Sequence, residues 1–204
     1  MIEYRYSYKD PVVVQKIAQT ICDLRQELDR DQTRQLVIVC IGTDRSTGDS
    51  LGPLVGTFIR EKLIDKLTVY GTLDEPVHAL NLRECLNNIK QIKNPLIIAV
   101  DASLGREKSV GDIIIGKGSL IPGIGVNKEL PKIGDIFIKG IVNIDASHFS
   151  NSFTHLILQN TRLGLVWKMA NVIARGIEKA ITQDRINDMY SSSYCEYAVV
   201  SCVS

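Results

Sequence analysis

The sequence predicts an open α/β fold around a largely parallel sheet, and three observations support that prediction. Two apolar runs, Leu36–Ile41 and Leu96–Val100, are continuous instead of alternating with polar residues, as is typical of strands buried on both faces. Segments with the 3.6-residue apolar spacing of amphipathic helices precede and separate these runs. The resulting alternation of helix and strand favours parallel strands joined by right-handed crossovers.

The first half of the chain supplies the helix–strand units of this sheet. Asp10 and Pro11 are suited to begin a first helix, whose apolar side chains recur at helical spacing. Polar residues then end that helix before the first core strand. The predicted elements that follow are strand Leu36–Ile41, helix Leu51–Ile64, strand Leu67–Tyr70, helix Pro76–Ile92 and strand Leu96–Val100.

The second half departs from this alternation. Two β-like runs, 111–116 and 135–142, flank a Gly/Pro-rich stretch, which predicts a hairpin or a long functional loop. A last helix is predicted from about Arg162 to Thr182, and Tyr197–Val200 is a candidate edge strand. At 204 residues the chain is expected to form one domain over residues 1–204.

Composition disfavours several classes of protein. Lys and Arg number 24 against 23 Asp and Glu, and aromatic residues make up 6% of the chain, so no nucleic-acid partner is expected. The N-terminus lacks the pattern of a signal peptide, and no apolar run approaches the roughly 18 residues that span a bilayer. We therefore expect a soluble, cytoplasmic protein with no membrane partner.

The five cysteines are an odd number and form no CxxC pair. Cys22, Cys40 and Cys85 lie in apolar patterns, which predicts small buried side chains in a reducing compartment. Cys195 and Cys202 lie in a weakly patterned tail. No cysteine has the sequence context of a nucleophile and no GxSxG elbow occurs, which disfavours serine and cysteine hydrolase chemistry.

A Gly/Asp/Ser/Thr loop, residues 42–52, follows the first core strand and leads into a helix. Strand, Gly-rich loop and helix in this order are typical of phosphate-binding sites. This loop, however, has neither GxGxxG nor a GKS or GKT ending, and Asp44 and Asp49 would repel a pyrophosphate. We therefore expect no nucleotide cofactor.

Two aspartates follow the two buried strands. Asp49 lies in the loop after the first strand, and Asp101 directly follows the second. Because open α/β sheets bind their ligands at the carboxyl ends of the strands, both carboxylates are expected to face one crevice. Each also has a structural alternative, which is helix capping for Asp49 and turn capping for Asp101.

A facing pair of carboxylates has defined chemistry. Their titrations couple, so that one pKa rises and one proton is shared. Such a pair can activate a water for attack on an amide carbonyl, or it can supply two oxygen ligands to a divalent metal. His78, at a loop–helix junction, is placed to line the same crevice, although a structural histidine is the commoner outcome, and His155 carries no clear signal.

Four motifs carry a resemblance to a known family: IGTDRSTGDSLGPLVG, YGTLDEPVHALNL, IIAVDASLG and PGIGVNKELPKIGD. With them the chain resembles the YyaC family of sporulation proteins. That family is similar to the germination protease of endospore-forming bacteria and, more distantly, to the hydrogenase maturation endopeptidases. The resemblance covers residues 36–140 and implies a three-layer αβα sandwich of the phosphorylase/hydrolase type with a mostly parallel sheet.

The resemblance also implies site residues. The two catalytic aspartates of germination protease fall on Asp49 and Asp101. In the maturation endopeptidases, a metal-binding acid and an aspartate fall on the same two positions and are joined by a later histidine. The corresponding helix start, residues 158–163, contains no histidine, which favours the metal-free scheme.

The leading hypothesis is an atypical aspartic endopeptidase of the sporulating cell that uses no cofactor. Its partner would be a protein or peptide substrate, such as a spore protein. Asp49 and Asp101 are the predicted catalytic residues. The loop backbone at Gly42, Thr43 and Gly48 is predicted to approach a peptide closely and to donate N–H groups to it. Asp44, Arg45 and His78 are the predicted secondary contacts.

Two other hypotheses stay open. The chain could keep a protease fold without protease activity and act as a binding or regulatory partner in sporulation. It could instead be a metal-dependent peptidase in which Asp49, Asp101 and either His78 or Gln159 bind a divalent ion. The apolar stripe of the first helix also leaves a homo-oligomer open.

Overall fold

The structure is a computed structural model that describes residues 2–63, 67–122, 130–145 and 151–199, with side chains described throughout except at 63, 151–152 and 184–199. Its strands are β1 (Glu3–Ser7), β2 (Gln35–Cys40), β3 (Thr68–Tyr70), β4 (Pro95–Gly105), β5 (Asp112–Lys117) and β6 (Ile136–Ile144). Its helices are α1 (Val13–Leu28), α2 (Leu51–Leu63), α3 (Leu82–Ile89), α4 (Asn151–Gln159) and α5 (Leu163–Val199). A short 3-10 turn, Glu107–Ser109, follows β4.

The strands form one sheet in the order β1-β5-β6-β4-β2-β3. The four strands from β6 to β3 are parallel to one another, whereas β5 is antiparallel to β6 and β1 is antiparallel to β5. The predicted α/β class with a mostly parallel central sheet is therefore confirmed. The antiparallel β5–β6 pair also agrees with the predicted hairpin. Of its Gly/Pro-rich stretch, 121–134, residues 123–129 lie outside the described part of the chain.

Helices cover both faces of the sheet. One set of strand side chains, including Ile38 and Val100, packs with α1, α2 and α5 in a first apolar cluster. The alternate set, including Val39 and Ala99, packs with α3 in a second cluster. Because successive side chains of a strand point to opposite faces, a central strand covered on both faces has the continuous apolar sequence that predicted it.

Some elements differ from the prediction. The edge strand β1 was not predicted, because its sequence EYRYS is largely exposed and has no buried apolar stripe. Helix α4 was not predicted either, since a threonine, Thr154, is its fully buried residue. The edge strand expected at 197–200 is wrong, because α5 continues as a helix through Val199.

The described cysteines follow the predicted pattern. Cys40 and Cys85 are buried and unbridged, and Cys22 is partly buried against the first cluster. Burial raises the pKa of Cys85 to about 11 and also raises the pKa of Cys40. Cys195 and Cys202 lie outside the described side chains. Among the described helices, none has an apolar stretch long enough to cross a bilayer.

Candidate functional site

A cavity of about 590 Å³ opens at the carboxyl ends of β2 and β4. We call it the crevice. Seven of the eight residues predicted for the site line it: Gly42, Thr43, Asp44, Arg45, Asp49, His78 and Asp101. The two aspartates predicted to meet therefore face the same cavity.

The crevice exists because β4 is longer than β2. The last residue pair of the two strands is Cys40 with Val100, and the Ile41 N–H donates to the Val100 carbonyl oxygen at 2.7 Å. Strand β4 then continues to Gly105 along β6 alone. Asp101 is thus the first residue of β4 beyond β2, and the segment after it is strand, not the turn that the sequence suggested.

Backbone packing fixes the loop that carries Asp49. Gly42 has a φ of +141°, and a Cβ added there would lie 1.9 Å from the Asp49 carbonyl oxygen. A Cβ added to Gly52 would lie 2.1 Å from the Ile41 carbonyl oxygen. The start of α2 therefore packs directly on the end of β2, which a side chain at either position would prevent. This contact holds Asp49 at the strand end.

The Asp49 carboxylate is partly buried, and burial is the main reason why its pKa is raised above the ordinary value. A hydrogen bond from the Thr43 N–H lowers that pKa, and the imidazoles of His155 and His78 lower it further. The carboxylate thus accepts from the preceding loop, an arrangement different from the helix cap considered for it. Burial outweighs the three opposing effects.

Asp101 is buried, with 7% of its surface exposed, and lies within β4. Its pairing partner in β6 is Lys139, so a cation is directly opposite it on the same face of the sheet. Turn capping does not describe this residue, because both of its neighbours belong to the strand. A buried carboxylate on a rigid strand is a well-positioned catalytic group.

Two histidines line the crevice, and one of them was missed from the sequence. His78 accepts a hydrogen bond at Nδ1 from the Leu80 N–H at 3.3 Å, which fixes the orientation of its ring. His155 reaches the crevice from α4, three residues before the segment where a histidine was sought. The recurrence of Thr154, Ile157, Leu158 and Thr161 at helical spacing is the signal that would have located it.

The loop glycines do not have the predicted role. Gly48 does not line the crevice, and its N–H donates to the Leu158 carbonyl oxygen at 2.8 Å. The Gly42 N–H donates to the Val77 carbonyl oxygen at 2.8 Å. The expectation that these N–H groups donate to a substrate is therefore not met. They fix the loop.

Three further polar residues surround Asp49. Asp44 and Arg45 are exposed at the mouth of the crevice. Ser46 is buried in its wall, and its hydroxyl has no hydrogen-bond partner within the described part of the chain. A buried hydroxyl without a partner is costly, so this group is available to a bound molecule or to water.

Among the residues that the structure describes, the donors around the crevice do not form a three-ligand metal site. Gln159 is exposed on α4 and does not line the cavity, which removes it from the set considered from the sequence. Within the four described ranges, no three His, Cys, Asp or Glu side chains lie close enough together to hold a metal ion. The chemistry considered below therefore uses the carboxylates alone.

Comparison with known proteins identifies the relatives of this chain. Residues 5–176 match a family described as a protein of unknown function, DUF1256. The uncharacterized protein YyaC of Bacillus subtilis (strain 168) is 51% identical over 172 residues, which span 84% of this chain and 80% of YyaC. The crystal structure of the NiFe hydrogenase maturation protease HycI from Thermococcus kodakarensis KOD1 matches with a TM-score of 0.46 and 15% identity, over 78% of this chain and 99% of HycI.

Proposed function

This chain belongs to the DUF1256 family, and we propose that it is a peptidase that hydrolyses a peptide bond in the crevice with Asp49 and Asp101. One observation carries the proposal. Two carboxylates from different strand ends face one cavity, and burial raises the pKa of one of them. Perturbed acids that converge in a cavity are the usual mark of acid–base catalysis.

The pair acts with one shared proton. The ionised carboxylate takes a proton from water as the water oxygen attacks the carbonyl carbon, and the protonated carboxyl donates its proton to the carbonyl oxygen. When the tetrahedral intermediate collapses, the C–N bond breaks and the leaving amine takes the proton that came from water. The hydroxyl proton returns to the other carboxylate, so the pair again carries one proton.

The open edge of β4 is the place for the substrate backbone. The N–H and C=O groups of alternate strand residues point to the same side, and the Val100 carbonyl points toward β2. The main-chain N–H and C=O groups of Ala102 point to the same side, but within the described part of the chain β2 no longer pairs with β4 at this residue. An extended peptide can add to this edge as a short strand, and the Ser46 hydroxyl can complete its hydrogen bonds.

The motif resemblance to germination protease supports a protein or peptide substrate, such as a spore protein. We place the enzyme in the cytoplasm of the sporulating cell, with a spore protein as its substrate. The apolar rim of the crevice, which includes the exposed side chain of Leu80, fits a protein segment better than a small polar metabolite.

The test measures cleavage of a panel of purified spore proteins and of a fluorogenic peptide library. It compares the variants Asp49→Asn and Asp101→Asn with Asp31→Asn, a control at an exposed position. We expect each site variant to lose about 10²–10⁴-fold in kcat/KM, the range typical for removal of a general acid or base. The control should cleave like the natural protein. Full cleavage by both folded site variants would contradict the assignment.

The same panel separates the main alternative, a protease fold that only binds. That alternative predicts no cleavage product and tight binding of one panel member. Elemental analysis of the purified protein, with assays in the presence of a chelator, separates the metal-dependent scheme. Loss of cleavage on chelation, with recovery on adding back a divalent ion, would contradict the carboxylate-only mechanism.

A further inference from the structure

We infer that a second cavity beside the crevice binds a carboxylate of the peptide substrate, which makes the protein selective for acidic sequences. This inference rests on the proposed function, because it describes how the same substrate is recognised. The second cavity, of about 770 Å³, lies on the face of the sheet formed by β1, β5, β6 and the end of β4. We call it the basic annex. Its charged lining residues are Arg5, Arg106, Lys108, Lys139, Glu3 and Asp112.

The annex carries an excess of positive charge. Four cations line it against two carboxylates, although the whole chain has a net charge of only +1. Arg5 is engaged with Asp112 at 3.1 Å. Within the described part of the chain, Arg106, Lys108 and Lys139 form no ion pair, so these three cations remain for an anionic ligand.

Strand register connects the annex to the crevice. Arg5 is opposite Ile114, Ile114 is opposite Lys139, and Lys139 is opposite Asp101. These residues form one row on one face of the sheet, with adjacent strands about 4.8 Å apart. Lys139 is thus one strand away from a proposed catalytic carboxylate. Its ammonium group lies 4.9 Å from the centre of the Phe137 ring, which orients the side chain along the sheet.

The two cavities also share part of their walls. Ser103 and Leu104 line both of them. From Asp101 to Gly105 strand β4 covers about 13 Å, which an extended peptide covers in about four residues. A peptide that lies along β4 with its scissile bond at Asp101 therefore brings a side chain within four residues of that bond into the annex.

A carboxylate is the ligand that best fits this arrangement. Arginine and lysine bind carboxylates through charge-assisted hydrogen bonds, which are stronger than those between neutral groups. A basic residue in the same place would add to the excess of cations and be repelled. The chain-wide charge balance, with no extended basic stripe, argues that the annex recognises a local feature of a peptide and not a polyanion.

Charge-neutralised variants test the inference. The triple variant Arg106→Gln, Lys108→Gln, Lys139→Gln removes the three cations that form no ion pair with a described residue. The matched control Arg83→Gln, Lys90→Gln, Lys93→Gln removes three exposed cations outside both cavities. The probes are two pools of fluorescein-labelled decapeptides, randomised except that one fixes Glu and the other Gln at the fourth position.

We expect the natural protein and the control to prefer the Glu pool about tenfold in kcat/KM at low salt, and the annex variant to lose that preference. The preference should shrink in 1 M salt, where the screening length is about 3 Å. No preference in the natural protein, or an equal preference in both triple variants, would overturn the inference.

Binding of the same pools, measured by fluorescence anisotropy, distinguishes the annex proposal from the peptidase proposal. Glu-selective binding without cleavage would support the annex and contradict the peptidase, whereas cleavage without Glu selectivity would do the reverse.

Discussion

The two proposed catalytic carboxylates are held in different ways. Asp49 lies on a loop that is fixed by contacts between main-chain atoms, and Gly42 and Gly52 permit those contacts because they have no side chain. Asp101 lies inside a strand and is fixed by the hydrogen bonds of β4 to β6. The two carboxylates that line one crevice thus depend on close backbone packing on one side and on strand register on the other. The two sides should therefore respond differently to substitution.

The largest expected effect is on the loop side. In Gly42→Ala, the new Cβ would overlap the Asp49 carbonyl oxygen at a strained φ, which should cost about 3 kcal/mol in the free energy of unfolding. For a chain of this size that corresponds to a Tm lower by about 10 °C. Differential scanning calorimetry measures the change, and activity should fall with it because Asp49 moves.

Two control variants make that result specific. A Cβ at Gly105, on the strand side, would meet side-chain atoms of Ile141, the nearest at 2.9 Å, and one at Gly164 would meet nothing within 4 Å. Gly105→Ala should therefore destabilise the protein less than Gly42→Ala, and Gly164→Ala should change Tm least. An equal loss in all three variants would show that the two sides do not differ in this way.

The next effect concerns the histidines, which lie on the Asp49 side of the comparison. His155 lowers the pKa of Asp49 more than His78 does, so His155→Gln should raise that pKa further. If Asp49 must be ionised to act as the base, the acidic limb of the kcat/KM profile should move to higher pH, with a smaller movement for His78→Gln. Gln159→Ala, on the same helix but outside the crevice, should leave the profile unchanged. An unshifted limb in His155→Gln would remove that histidine from the site.

The smallest expected effect is on the pH dependence of folding stability. Because the folded-state pKa of Asp49 is raised, its ionisation opposes folding as the pH rises through that value. Asp49→Asn removes this penalty, so the variant should melt higher than the natural protein at pH 7. The difference should vanish as the pH falls below the ordinary value of 3.8, where the group is protonated in both states. Thermal melts from pH 3 to pH 8 measure it, and a difference that does not depend on pH would contradict the burial argument.

The sequence predicted the parts of the site that depend on local pattern. The apolar runs before Asp49 and Asp101 located two strand ends, and strand-end geometry then predicted a common crevice. The sequence could not predict the role of the loop glycines. Their pattern is equally suited to free N–H groups and to close packing, and the structure shows that the Gly42 and Gly48 N–H groups already donate to main-chain carbonyls.

The parts that were missed depend on long-range assembly. His155 lies on a short helix whose buried side begins with Thr154, so the helical spacing there is visible only when threonine is counted among the buried residues. The basic annex combines side chains from β1, the turn after β4, and β6, residues that are far apart along the chain. Only the pairing register places Arg5 and Lys139 in one row with Asp101, and register is not visible in a single sequence.

The Cys40 thiol can report on the packing of α2 against the end of β2. Cys40 is the last residue of β2. A Cβ added at Gly71 would lie 1.8 Å from the Cys40 carbonyl oxygen and one added at Gly56 would lie 3.3 Å from the Cys40 Cβ, so the residue after β3 and helix α2 both pack closely on it. Its thiolate is strongly disfavoured while that packing stays in place, since burial raises the pKa of the thiol. The rate of alkylation of Cys40, measured by mass spectrometry of the digested protein, therefore reports how often α2 separates from the sheet. That opening would also displace the Asp49 loop, so a reagent that never touches the crevice can report on its integrity.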